Sequence, residues 1–174
     1  AEVDRLSAEL ESSGRKPYFI PGGGSNRIGA LGYANAAYEL VGQCNDIGLK
    51  VDRIVHGSGS TGTQAGLVAG LAAIHSGIGV LGISVRAERE AQEENVYRLA
   101  AETADYIGAG AALSRQDVVA NSDYVGEGYG LPTDSMLEAV ELTARHETIL
   151  LDPVYSGKAM AGLIDLIRQG EFKS

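Results

Sequence analysis

The sequence has no tryptophan, two phenylalanines, four prolines and one cysteine in 174 residues. With Cys44 alone, no disulfide can form within the chain, and a reducing compartment, the cytoplasm, is the natural reading. Basic residues are also scarce: 14 Lys and Arg stand against 23 Asp and Glu, a formal charge of −9. Nucleic acid and anionic membrane both need clustered Lys/Arg to displace counterions, so neither is an expected partner. Small molecules and other protein chains are. No apolar run approaches the roughly 20 residues that cross a bilayer, and the opening Ala1-Glu2-Val3-Asp4-Arg5 lacks the apolar core of a signal peptide. An initiator Met is missing as well. The chain opens inside a charged helical pattern, as though continued from something longer.

What is abundant is glycine, 24 residues of it, a composition suited to close helix-on-sheet packing and to backbone-lined ligand sites. The length suits one domain that buries roughly 70% of its unfolded surface. Short apolar runs alternate with helical patterns. Tyr18-Phe19-Ile20 reads as a strand ended by Pro21, and Gly29 to Cys44 as a helix with Leu31, Ala34, Tyr38 and Val41 on one stripe. Arg53 to His56 and Val80 to Val85 read as strands, each followed by a helix, the first carrying Leu67, Leu71 and Ile74 and the second Val96, Leu99, Thr103 and Ile107. Tyr124-Val125 is a weaker strand. Thr133 is placed to cap a helix with Leu137, Val140 and Ala144 facing inward. Ile149-Leu150-Leu151 reads as a last strand and Gly157 to Arg168 as a last helix. Strand-then-helix repeated about five times implies an α/β fold: a three-layer, open, mainly parallel twisted sheet with helices on both faces. Ligands of such sheets sit beyond the carboxyl ends of the strands.

One of those loops, Gly57-Ser58-Gly59-Ser60-Thr61-Gly62-Thr63-Gln64-Ala65-Gly66, lies between a strand and a helix, where N–H groups and the helix dipole converge on an anion. It contains G-x-G-x-x-G at Gly57, Gly59 and Gly62, but the next strand ends in Arg86 where a dinucleotide site wants an acid for the ribose. A P-loop is excluded because Thr63-Gln64 stands where Lys-Ser/Thr is required. The hydroxyls of Ser58, Ser60, Thr61 and Thr63 suit a compact phosphate monoester instead; a tight structural turn is the competing account.

Four segments together resemble a known family. Ile20-Pro21-Gly22-Gly23-Gly24-Ser25-Asn26 with Gly29-Ala30-Leu31-Gly32-Tyr33, the loop Gly59 to Gly66, Gly128-Tyr129-Gly130-Leu131-Pro132, and Leu150 to Met160 are similar to the D-cysteine desulfhydrase, L-cysteate sulfo-lyase and 1-aminocyclopropane-1-carboxylate deaminase group of fold-type II pyridoxal-phosphate enzymes, relatives of the tryptophan synthase β subunit. The resemblance implies that residues 1–174 form the larger, cofactor-binding domain of a longer two-domain chain. It implies pyridoxal 5'-phosphate as cofactor, with Gly59, Ser60, Thr61, Gly62 and Thr63 cradling its phosphate and Ser156 contacting the pyridine nitrogen. Tyr129 and Tyr155 match tyrosines on the substrate side, able to donate to a carboxylate or, if the site lowers their pKa, to shuttle a proton. It also implies a homodimer acting on a small amino acid.

Ser156 stands where the cyclopropane deaminases carry Glu and the desulfhydrases and sulfo-lyases carry Thr or Ser. A neutral hydroxyl leaves the ring a weaker electron sink, which β-elimination tolerates because the leaving group accepts electrons. The expected reaction is therefore elimination from a cysteine-like amino acid, giving pyruvate, ammonia and sulfide or sulfite; cyclopropane ring opening and a non-catalytic phosphate-binding domain are the alternatives. The family's Schiff-base lysine belongs to a segment without counterpart here, and Lys16, Lys50, Lys158 and Lys173 do not replace it. The expectation is a fragment that can hold a cofactor but cannot catalyse alone. His56, His75 and His146 have no Cys or acid at ligand spacing, so no metal site is expected. Ser25 and Asn26 read equally as a helix cap or as cofactor-side groups, Arg86 as a rim charge, and Glu88 to Glu94 as a solvated helix face.

Overall fold

A computed structural model describes residues 2–172. The elements are α1 (Glu2–Ser12), α2 (Arg27–Asp46), β1 (Arg53–Ser58), α3 (Gly62–Ala73), β2 (Gly79–Ser84), α4 (Arg89–Tyr106), β3 (Val118–Asn121), α5 (Asp134–Glu147) and α6 (Ser156–Arg168). The strands form a parallel sheet in the order β1-β2-β3, in register at Val55 with Leu81 and Leu81 with Val119. Among the described residues no helix is long and apolar enough to cross a membrane.

Central β2 is apolar on both faces because both are covered. Val80 packs with Leu67, Val68 and Leu71 of α3, Val96 and Leu99 of α4, and Val118 of β3. Leu81 and Ile83 face the other way, onto Tyr124 and Ala159 of α6. The three-layer α/β reading holds, but with three strands among the described residues. Tyr18-Phe19-Ile20 and Ile149-Leu150-Leu151 join no ladder: Tyr18 and Leu150 are 75% and 87% exposed. An apolar triplet becomes a strand only where a neighbouring edge takes its N–H and C=O groups, and neither triplet has one among the described residues. Tyr124-Val125 is a turn, closed by Val125 N–H donating to Ser122 O. The third strand lies just upstream at Val118–Asn121, its Ala120 N–H held by Glu93.

Helix α2 begins two residues earlier than the apolar pattern indicates, and Asn26 caps it, accepting from Ile28 N (3.0 Å) and Gly29 N (2.8 Å). Its buried stripe is Ala30, Ala37 and Cys44, while Tyr38 points outward. The reason is close packing against α3. A Cβ on Gly66 would lie 2.3 Å from Ala30 O, and one on Gly70 2.6 Å from Ala34 O, so only small residues fit the seam. In α5 the Thr133 cap forms, with Met136 N donating to its hydroxyl, but Met136, Ala139 and Thr143 face inward and Leu137 is exposed.

The seam is testable. Gly70→Ala forces two helix backbones apart and should destabilise the protein by about 1–3 kcal/mol in denaturant unfolding. Gly42→Ala, whose Cβ enters open space on the same helix as Ala34, should be neutral or stabilise by about 0.5–1 kcal/mol.

Candidate functional site

The carboxyl ends of the strands bring the site loops together. β1 runs out through Ser58 into Gly59-Ser60-Thr61, and α3 starts at Gly62. His56 to Thr61, Thr63, Gln64 and Tyr155 line a cavity of about 70 Å³. The first backbone donor satisfied inside α3 is Ala65 N, bonded to Thr61 O, so the first-turn N–H groups ahead of it have no helical acceptor. Gly62 N–H meets the Ser25 hydroxyl at 3.2 Å. Asn26 is thus a cap and Ser25 a loop contact. No Asp or Glu lines the cavity; its field is that of the helix terminus and its hydroxyls, favourable to an anion.

Two features hold the loop open. A Cβ on Gly59 would lie 2.7 Å from the Tyr155 hydroxyl, and one on Gly23 would lie 2.3 Å from Ser60 Oγ. Thr61, which precedes α3, sits at φ +82°, a left-handed conformation that costs a β-branched residue about 1–2 kcal/mol. Such strain persists where the surroundings over-determine it.

The surroundings are a buried amide network. Ser58 Oγ donates to Gln64 Oε1 (2.7 Å) and accepts from Gln92 Nε2 (2.9 Å), while Gln64 Nε2 donates to Val119 O (2.7 Å). Ser58, Gln64 and Gln92 are all at most 2% exposed. Ser58 therefore turns inward, and the cradle has three free hydroxyls, not four. Nor is Glu88 to Glu94 uniformly solvated: Gln92 is core. Its spacing to Val96, Leu99 and Thr103 on one helix face is the signal that the acidic flanks masked.

Tyr155 and Tyr129 meet edge-to-face with centroids 6.0 Å apart and hydroxyls at 3.4 Å. The hydrogen bond with Tyr129, followed by burial, raises the Tyr155 pKa, against a weaker opposing pull from Arg86. The phenol therefore keeps its proton near neutral pH while accepting from Tyr129 Oη. Exposed Arg86 lies 6.0 Å from the Tyr129 ring centroid. Ser156 lines an adjoining hollow of about 250 Å³ that shares His56 and Gly57 with the first. Its hydroxyl donates to Asp152 Oδ2 and accepts from Asp152 N. Burial pushes the Asp152 carboxyl up, but the Ser156 hydroxyl and the N–H groups of Tyr155, Ser156 and Val154 outweigh it and bring the pKa to about 2.

Of the lysines, Lys16, Lys50 and Lys158 line neither hollow, and Lys173 lies outside the described residues. Lys158 is fully buried. His56, which sequence spacing weighs only as a metal ligand, has two ring nitrogens buried without a hydrogen-bond partner. Burial lowers its pKa from 6.5 to about 4. Because its folded pKa is the lower one, His56 favours folding above pH 6.5, and that contribution is lost as pH falls towards 4. Urea midpoints should therefore drop between pH 7 and pH 4.5, and His56→Val should remove most of that drop. Thr61→Gly should relieve the loop strain, raising stability by about 1 kcal/mol, while weakening retention of a phosphate ligand measured by equilibrium dialysis.

Comparison with known proteins accords with this geometry. The family model "pyridoxal-phosphate dependent enzyme" matches residues 1–174. The chain is 41% identical over 172 residues to a D-cysteine desulfhydrase of Salmonella typhi and 42% identical over 173 residues to one of Klebsiella pneumoniae, covering 99% of this chain in each case and 51% and 52% of those proteins. A crystal structure described as an ACC deaminase homologue superposes with a TM-score of 0.87 at 37% identity, over 98% of this chain and 50% of that one. The chain thus spans about half the length of the curated relatives it matches. With a family model matched from residue 1 to residue 174, the chain belongs to the pyridoxal-phosphate dependent enzymes.

Proposed function

We propose that the protein encoded by the complete reading frame is a carbon–sulfur lyase that eliminates the β-sulfur group of a cysteine-like amino acid, giving pyruvate, ammonia and sulfide or sulfite. The observation that carries this reading is the shared cavity: the phosphate-type cradle and the Tyr155 phenol face the same space, in a chain 41–42% identical to D-cysteine desulfhydrases. The residues present fit the phosphate end of the cofactor. Ser60, Thr61 and Thr63 supply hydroxyls, Gly59 and Gly62 supply backbone that approaches closely, and each bond to the dianion is worth roughly 1.5–3 kcal/mol.

When bound, pyridoxal phosphate supplies the electron sink that makes an amino acid's α-proton removable. This chain's residues do the rest of what is proposed for them here. The cradle fixes the cofactor's phosphate end and so the position of its ring. Ser156 offers the ring nitrogen a neutral hydroxyl, which favours elimination over reactions that need a stronger sink. Tyr155 Oη, kept protonated, donates to the substrate carboxylate or the departing group, and Tyr129 Oη supports it from 3.4 Å. The reading extends to a cytoplasmic homodimer, on the single unpaired cysteine and the family resemblance.

The test incubates the complete protein, loaded with pyridoxal phosphate, with D-cysteine, L-cysteate and 1-aminocyclopropane-1-carboxylate. Pyruvate with sulfide or sulfite is the expected result. Formation of 2-oxobutyrate from the cyclopropane substrate would favour ring opening, the reading that the likeness to an ACC deaminase homologue supports. Neither product would leave a phosphate-binding domain without lyase activity. If elimination occurs, Tyr155→Phe should lower kcat about 100-fold, the low end of a lost proton donor.

A further inference from the structure

Lys158 is a charged side chain with no exposure, and its partners are not acids. Its Nζ donates to Val125 O at 2.6 Å and to Gly128 O at 3.0 Å. Burying an ammonium without a counter-ion is costly, and a methionine of similar length would fill the same space more cheaply. The two carbonyls show what the charge is there to hold. They belong to the segment immediately before Tyr129, whereas Lys158 itself lies in the first turn of α6, three residues after Tyr155.

We propose that Lys158 is a positioning residue: by tying the 125–128 segment to the first turn of α6, it sets the spacing between the Tyr129 and Tyr155 phenols. This rests on the reading that those phenols act on the substrate. The anchor end is rigid. A Cβ on Gly157 would lie 2.8 Å from Asp152 O and 3.0 Å from Met136 Cγ, so the turn sits hard against α5, and Asp152 caps it through Val154, Tyr155 and Ser156 N–H. Among the described residues, the backbone-to-backbone bonds of the tethered end are local, Val125 N to Ser122 O and Leu131 N to Gly128 O, with glycines at positive φ at positions 126 and 130. Tyr129 is 54% exposed, and its ring is held by its edge-to-face contact with Tyr155 and by Arg86 rather than by core packing. Its position follows its backbone, and the long-range bonds to that backbone come from Lys158.

The test uses the complete protein and the variant Lys158→Met, with Lys158→Gln as a second if the first does not fold. Amide hydrogen exchange should rise at least tenfold at residues 125–131 and stay unchanged in the sheet. With a substrate that the wild type turns over, kcat should fall about 10- to 100-fold, the range a misplaced group costs, with a smaller change in KM. In a Tyr129→Phe background the same substitution should cost less than threefold, because two changes acting through one group do not add. Exchange unchanged at 125–131, exchange raised throughout, or multiplicative losses in the double variant would each overturn the proposal. The exchange arm needs no turnover, so an inactive wild type would sink the lyase reading without touching the tether.

Discussion

The fully buried Gln64 amide is the contact on which the site depends. It joins the first turn of α3 to the end of β1 through Ser58 and to β3 through Val119 O, and Gln92 of α4 closes the group on Ser58 and Gly59 O. Four elements are locked to one another below the loop by bonds that a buried amide cannot forgo without a penalty of about 1–3 kcal/mol each. The cost appears in the central strand. Gly82 has no room for a side chain because a Cβ would lie 2.2 Å from Gln64 Oε1. A glycine weakens a strand; here it admits the amide that holds the loop. Thr61 can remain at φ +82° because the network below and Ser25 beside it fix the turn from both ends.

The electrostatics of the site are local. A chain of formal charge −9 binds an anion poorly through its long-range field, yet the cavity is lined by no acid, and its one titratable base, His56, is kept neutral by burial. Attraction must come from N–H groups and hydroxyls within bonding distance, and these are screened little by salt. A site of this kind selects weakly by charge and mainly by fit, as the proposed phosphate ligand would require.

The alternation of strand and helix, the cap at Thr133, one of the two readings of Asn26, and the glycine loop between a strand and a helix are legible in the sequence because each depends on neighbours close along the chain. What was not legible depends on partners. The triplets 18–20 and 149–151 have the composition of strands, but a strand is a pairing, and composition does not show whether an edge is present. Helical spacing puts Tyr38 on the apolar stripe of α2 and Leu137 on the inward face of α5; the seam between α2 and α3 instead selects Ala30 and Ala37, since glycines 66 and 70 draw the backbones too close for a ring. Ser58 reads like its neighbours Ser60 and Thr61 until the strand's alternation turns it toward Gln64. Lys158, an unremarkable cation in a Gly-Lys-Ala-Met run, shows its role only once two carbonyls 30 and 33 residues away are seen on its ammonium.

Asp152 bears on the choice between elimination and ring opening. A carboxylate is present near the Ser156 position, but it is bound by three N–H groups and a hydroxyl that hold its pKa at about 2. So placed, it is a helix cap: its oxygens are taken, its negative charge is neutralised by the head of α6, and it will not carry a proton near neutral pH. The group left at that position is the serine hydroxyl, which both donates to and accepts from Asp152. To contact a pyridine nitrogen it must give up one of those bonds for one of similar strength, a near-neutral exchange that shifts the ring's proton affinity little. The proposed elimination asks for no more than this, because there the substrate's own leaving group would carry the electrons away.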